Sequence, residues 1–143
     1  MRPMRMTRRA LAAAGLAFGL VALSFSPAQA ATWYFGPAPA GCQLGALCVY
    51  KDINFEPGGW GVANFHASNV DWTQTSNAYI AGNDSSWFNN GTPGGKTSVI
   101  VMTRPDLPNS GSPEFCLDRG WGNTWDIASN DGGRSNRWVF GPC

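Results

Sequence analysis

The sequence predicts an all-β sandwich of short strands, and three observations carry that prediction. Short apolar runs alternate with glycine, proline, asparagine and aspartate throughout the chain after residue 45, the spacing of strands separated by turns. No window of ten or more residues beyond the N-terminal leader repeats apolar residues at i, i+3 and i+4, which a helix packed on a core requires. Four cysteines, Cys42, Cys48, Cys116 and Cys143, all lie after the leader. An even cysteine count in a small exported domain favours disulfides over free thiols.

The leader is residues 1–30. Arg2, Arg5, Arg8 and Arg9 precede an uncharged apolar run from Ala10 to Phe25, and Ala28-Gln29-Ala30 supplies a small-x-small cleavage site. This is the pattern of a secretory signal peptide, with cleavage expected after Ala30. The apolar run is short for a membrane span. Thr7-Arg8-Arg9-Ala10-Leu11 resembles a twin-arginine export signal, so the general and the folded-export routes both stay open. A secreted, extracellular protein follows.

Cleavage leaves 113 residues with six Lys/Arg against nine Asp/Glu. That is one domain with a modest core. Its mildly acidic balance argues against nucleic acid, whose phosphates need clustered cations. With the leader removed, no further apolar span remains to hold it in a membrane, and a monomer is expected.

Residues 31–41, with Trp33-Tyr34-Phe35 followed by Pro37 and Pro39, form an extended N-terminal segment ahead of the domain at 42–143. Within that domain Leu47–Tyr50, Gly61–Phe65, Ala78–Ile80, Ser98–Thr103, Glu114–Leu117 and Asn136–Phe140 read as strands. A weak duplication divides them. Asn83-Asp84-Ser85-Ser86-Trp87-Phe88 closes the first half and Asn130-Asp131-Gly132-Gly133-Arg134-Ser135 closes the second. Two Greek keys, at about 42–90 and 97–143, fit this layout. Three cysteine pairings are possible. Cys42–Cys48, across a turn containing Gly45, with Cys116–Cys143, tying the chain end to a strand, is the favoured one. The longer loop should stabilise more, contributing about 3 kcal/mol or slightly above. A four-cysteine zinc site would show paired Cys-x₂-Cys knuckles, which this chain lacks.

Cys42-Gln43-Leu44-Gly45-Ala46-Leu47-Cys48-Val49-Tyr50 resembles the Cys-x₅-Cys-x-Tyr opening of the secreted actinobacterial peptidase inhibitors of the metalloproteinase-inhibitor type, whose fold is βγ-crystallin-like. Tyr50-Lys51-Asp52-Ile53-Asn54-Phe55 is similar to the Tyr-x₄-Phe-x-Gly signature of a crystallin Greek key, with Pro57 at the glycine position and Gly58 one residue later. Ser85-Ser86-Trp87-Phe88-Asn89 resembles the segment that closes the first key. The resemblance implies a βγ-crystallin-like sandwich of two Greek keys, a peptidase as partner and a rigid inhibitory loop. That loop is expected at Thr103–Leu117, stiffened by three prolines, with Leu107, Phe115, Cys116 and Leu117 meeting the enzyme. Leu117 or Leu107 would supply the large apolar residue that thermolysin-like metalloproteases favour.

Many crystallin-like domains bind calcium through two Asn/Asp, two free positions and Ser/Thr-Ser. Here each copy is broken: Ala81-Gly82 replaces the acidic pair before Ser85-Ser86, and Arg134 replaces the hydroxyl residue after Asn130-Asp131-Gly132-Gly133. No cofactor and no tight calcium site are expected. Nor is an enzyme: His66 is the sole histidine and no nucleophile, metalloprotease or phosphate-loop motif occurs. The alternative is a carbohydrate- or cell-wall-binding or antifungal crystallin-like protein. Seven tryptophans exceed what so small a core can bury, and Trp121 and Trp125, in Gly120–Asp126, are the candidate sugar platform.

Overall fold

The computed structural model describes residues 31–106 and 113–143. The expected signal peptide at 1–30 and Leu107 of the expected loop lie outside these described residues. Eight strands are present among them: β1 (Thr32–Phe35), β2 (Leu47–Tyr50), β3 (Ala63–Phe65), β4 (Ser86–Asn89), β5 (Lys96–Met102), β6 (Pro113–Leu117), β7 (Trp121–Trp125) and β8 (Ser135–Phe140). They form two antiparallel sheets, one ordered β1-β7-β4-β2-β3 and one ordered β6-β5-β8. The protein is all-β, and both expected disulfides, Cys42–Cys48 and Cys116–Cys143, are formed.

The two halves are built alike. In each, the fourth strand returns to lie beside the first: β4 pairs with β2, and β8 pairs with β5. Each half also lends its third segment to the other sheet. β7 of the second half pairs with β4, and Asn69 of the first half bridges to Asn136 in β8. The first sheet thus takes a strand from the second half, and the second sheet takes a single bridge from the first.

The main core lies between the sheets. Leu47, Val49 and Trp87 face it from the first sheet, and Val99, Val101, Leu117 and Trp138 from the second, with Trp72 and Ile80 filling between. Alternation along β2 sends Cys48 and Tyr50 to the other face. That face is covered too, by Phe88, Tyr34, Phe55 and Val62, which is why every β2 residue is buried. Tyr50 and Phe55 plug the first hairpin, 5.5 Å between ring centroids. Ser86 holds this corner by accepting the Phe55 N–H at 3.0 Å and donating to the Asp52 carbonyl at 2.7 Å. Gly58 is the hairpin glycine: its φ is 60°, and a Cβ there would sit 2.6 Å from Asp52 Oδ2.

Two local expectations change. Ala78–Ile80 is a 3₁₀ turn, not a strand; only Ile80 of the three is buried, so the run has no alternating face to offer a sheet. The N-terminal segment is a strand of the sandwich, since β1 pairs with β7 along its length. The two rings expected as a sugar platform, Trp121 and Trp125, stand on β7, to which β1 adds, and Trp121 stays exposed there.

Leu117 is fully buried in the main core. Leu117→Ala is expected to destabilise the protein by about 2–5 kcal/mol in urea unfolding, the cost of deleting a packed leucine. A loss below about 1 kcal/mol would place this side chain at the periphery.

Candidate functional site: a pinned loop beside an inter-sheet hollow

Of the residues expected to meet a peptidase, Leu117 is fully buried, Phe115 and Cys116 are half-buried, and Leu107 lies outside the described residues. Phe115 and Leu117 alternate onto the inner face of β6; Phe115 packs edge-on against Trp87 at 4.8 Å, and Leu117 pairs opposite Val99. Cys116 is tied to Cys143. A side chain packed between two sheets cannot enter an enzyme pocket without opening the sandwich, so Leu117 serves the core, while Phe115 and Cys116 stay partly exposed beside it.

A different loop has the properties sought. The Cys42–Cys48 disulfide closes a segment whose tip is a turn, with the Ala46 N–H donating to the Gln43 carbonyl at 3.2 Å. Gly45 occupies the third turn position with φ 84°, a sign that glycine alone adopts freely. Leu44 stands at the second position and is 71% exposed. Around it the backbone is fastened. The Gln43 N–H donates to Asn64 Oδ1 at 2.8 Å, Asn64 Nδ2 to the Gly41 carbonyl at 3.2 Å, and the Gly45 N–H to the Asn90 carbonyl at 2.7 Å. His66 Nε2 and Gln43 Oε1 are 2.9 Å apart.

Beside this turn lies a hollow of about 270 Å³ lined by Gly45, His66, Ser68, Gly91, Lys96 and Trp138 among others. It opens where the halves meet: the first half supplies His66 and Ser68, the second Lys96 and Trp138. Ser68 Oγ accepts the Trp138 N–H at 2.9 Å. Gly91 lets the chain lie close to the indole, because a Cβ there would be 3.0 Å from the Trp138 ring.

Two further groupings stand out. Trp33 and Phe35 share one face of β1 and are exposed, as is Trp121 on β7, whose ring centroid is 5.0 Å from that of Phe35. Trp125 is only half-buried. The second sheet has three strands against five, and these rings sit at the wide sheet's β1 edge. The other grouping is acidic and internal. Asp84 is fully buried; its carboxylate accepts Trp87 Nε1–H at 2.7 Å and the Gly133 N–H at 2.9 Å. Desolvation pushes its pKa up to about 6, and nearby Asp131 adds to the rise. Glu114 Oε1 and Oε2 are buried with no hydrogen-bond partner among the described residues. Burial first, then the charge of Asp84 and, more weakly, that of Asp126, push its pKa up to about 7, with the nearby Ser129 hydroxyl pulling the other way.

The calcium-like positions are occupied by protein. Arg134 Nη1 donates to the Ala81 carbonyl at 3.1 Å, and its guanidinium lies so close over Gly82 that a Cβ there would be 2.6 Å from Nη2. A fixed cation beside the carbonyls of one half opposes a second cation there. No group of three or more His, Cys, Asp or Glu side chains is placed to hold a metal among the described residues.

A family model, that of peptidase inhibitor family I36, matches residues 36–99. The matched span contains the pinned loop, His66 and Lys96, and it excludes the whole stretch from 103 to 117. The match supports a peptidase inhibitor with a peptidase as its partner. Among solved structures the chain is similar to a βγ-crystallin domain from Clostridium beijerinckii, at 20% identity over 66% of this chain and 97% of that one, with a TM-score of 0.48. It is likewise similar to a chain solved in work on the evolution of the eye-lens βγ-crystallin domain fold, at 18% identity over 74% of this chain and 95% of that one, with a TM-score of 0.49. No curated protein matches it.

The signal that would have found the pinned loop was present in the sequence: an apolar residue before glycine in a turn between two cysteines. The hollow left no such trace, because its lining residues come from four separate stretches.

The acid pair makes stability depend on pH with a definite sign. Folded Asp84 and Glu114 titrate near 6 and 7, above their ordinary values of 3.8 and 4.5. Between about pH 4 and 7 the folded protein therefore binds more protons than the unfolded chain, and stability falls as pH rises. Tm is expected to be higher at pH 5 than at pH 8. Glu114→Gln should raise Tm at pH 8 and flatten the profile. A Tm that climbs from pH 5 to pH 8 in both proteins would contradict this assignment.

Proposed function

We propose that this protein is a secreted inhibitor of a peptidase, with a metallopeptidase of the thermolysin type as target class, acting through a rigid loop pinned by a disulfide. The single observation that supports it most is the family-model match over 36–99, because that span holds a disulfide-closed loop with an exposed apolar tip. Physical reasons favour such a loop. Binding costs the ordering of every side chain and backbone torsion that was free beforehand, and a loop already fastened at several points has less to lose. The acidic balance of the mature chain leaves this role undisturbed, since a peptidase surface needs shape and apolar contact before charge.

The test is a titration of thermolysin with purified protein. Inhibition should be saturable and reach completion near one inhibitor per enzyme. Undiminished thermolysin activity at a tenfold excess of protein would remove metallopeptidases of this type as targets.

The exposed rings of Trp33, Phe35 and Trp121 favour a second reading, a glycan-binding face, since aromatic faces stack on sugars. Retention on insoluble chitin or cell wall, lost in Trp121→Ala, would support it over inhibition. No resident metal enters either reading. With Arg134 already bonded to the Ala81 carbonyl, millimolar calcium added to chelator-treated protein is expected to leave Tm unchanged. A clear rise would show a site that binds the folded state.

A further inference from the structure

We infer that the Cys42–Cys48 loop is the element that seats in the target enzyme, with Leu44 as its anchor in an apolar pocket of a peptidase. This rests on the inhibitor function above and adds the contact residue and its manner of binding.

A single exposed leucine on a protein surface means little by itself. What distinguishes Leu44 is the contrast between its own exposure and the fixation of everything around it. Both neighbours have their backbone N–H groups bonded to other elements, Gln43 to Asn64 after a separation of 21 residues and Gly45 to Asn90 beyond β4. Asn90 Nδ2 returns a bond to the Cys42 carbonyl at 3.3 Å, and the Asn90 N–H donates to the Ala46 carbonyl at 2.9 Å. The disulfide closes the base. The backbone of the turn is thus tied to β3, to the end of β4 and to itself, while the side chain at its corner touches solvent. Fastened backbone with an exposed apolar anchor is the arrangement in which a binding hot spot costs least to immobilise.

The shape of the turn also says how Leu44 would act. Peptidases hold the bond they cut in an extended segment that adds to a strand edge of the enzyme. Residues Gln43–Ala46 are closed into a turn by their own hydrogen bond, so no peptide bond there is presented in cleavable form. Leu44 would fill a pocket and block it, and the loop would leave the complex intact. The hollow next to Gly45 provides a recess beside this knob, with Lys96 and Ser68 on its wall. A convex anchor next to a polar recess gives the enzyme surface both a contact to bury and a place for one of its own protruding side chains. The other exposed apolar group, Trp33 with Phe35 and Trp121, lies on β1 and β7, and neither strand falls within the matched span of 36–99.

The test compares purified wild type, Leu44→Ala, Leu44→Asp and Leu44→Met against thermolysin and subtilisin, with Tm measured for each variant. Leu44→Ala is expected to raise Ki by about 10- to 100-fold against whichever enzyme the wild type inhibits, the range that full burial of a leucine side chain supplies. Leu44→Asp should raise it further, and Leu44→Met should stay within about 5-fold, since methionine keeps the volume and apolarity. Tm should not move in any variant, because the side chain is exposed. The loop should remain uncleaved after prolonged incubation with the inhibited enzyme. If the wild type inhibits and Leu44→Asp matches it within about 3-fold, a difference too small for a buried contact, the anchor assignment fails while inhibition stands through another surface. Cleavage between Gln43 and Ala46 in step with loss of inhibition overturns the blocking mode. If the wild type inhibits neither enzyme, both the inhibitor function and the anchor fall together.

Discussion

A carboxylate fully removed from solvent joins the two halves of this sandwich. Asp84 stands just before β4 and accepts hydrogen bonds from Trp87 in its own half and from the Gly133 backbone in the other. Its own carbonyl takes the Asp131 N–H at 2.7 Å, and the Gly133 carbonyl takes the Gly82 N–H at 2.9 Å. A charge or even a neutral acid in such a place is costly unless its bonds are met. Asp84 meets them only when both halves are in register. Glycine is required opposite it, because a Cβ at Gly133 would run into both Asp84 and Trp72. The junction thus selects one relative placement of the halves, and the tryptophans on either side pack around that placement.

The exchange of segments between sheets follows the same logic. β7 completes the first sheet and Asn69 bridges to the second, where Asn136 ties the exchange down. Its Oδ1 accepts Trp72 Nε1–H at 2.8 Å, and its backbone exchanges both bonds with Asn69. Two buried tryptophans of the first half, Trp72 and Trp87, are therefore each hydrogen-bonded to a polar side chain, Asn136 or Asp84, that also bonds across the junction between the halves. Buried polar networks of this kind are worth having only when complete. Glu114, Asn123, Trp125 and Trp138 each carry a buried polar atom without a partner among the described residues, and at Glu114, packed beside Gly132, burial raises the pKa to about 7.

What is left for function is set by what the junction consumes. Leu117 is spent on the core, and Arg134 on closing the loop at Ala81. The loop that remains both rigid and exposed is the first disulfide loop, which looks like scaffold when read along the chain. It is scaffold at its base, where Cys48 is buried in β2, and surface at its tip, where Leu44 projects. Rigid support immediately beneath an exposed anchor is what an inhibitor needs, and the fold supplies it as a by-product of pinning its first strand.

Alternation, turn residues and cysteine number were enough to specify an all-β domain, five of its strands and the favoured one of three cysteine pairings, and the resemblance added the hairpin corner of Tyr50, Phe55 and Gly58. These are local properties: each follows from residues within a few positions of one another, or from the few ways four cysteines can pair. The error at Ala78–Ile80 was local too, since three apolar residues carry no period. The fate of Leu117, the adoption of β1 as an edge strand, the hollow between His66 and Lys96 and the exposure of Leu44 were not legible in that way. Each depends on which residues distant in the chain come to cover a side chain or leave it open. Burial is a property of the assembled sheets: Leu117 and Leu44 are the same residue type in similar disulfide-bonded settings, and the packing of the second sheet against the first made one of them core and left the other in solvent.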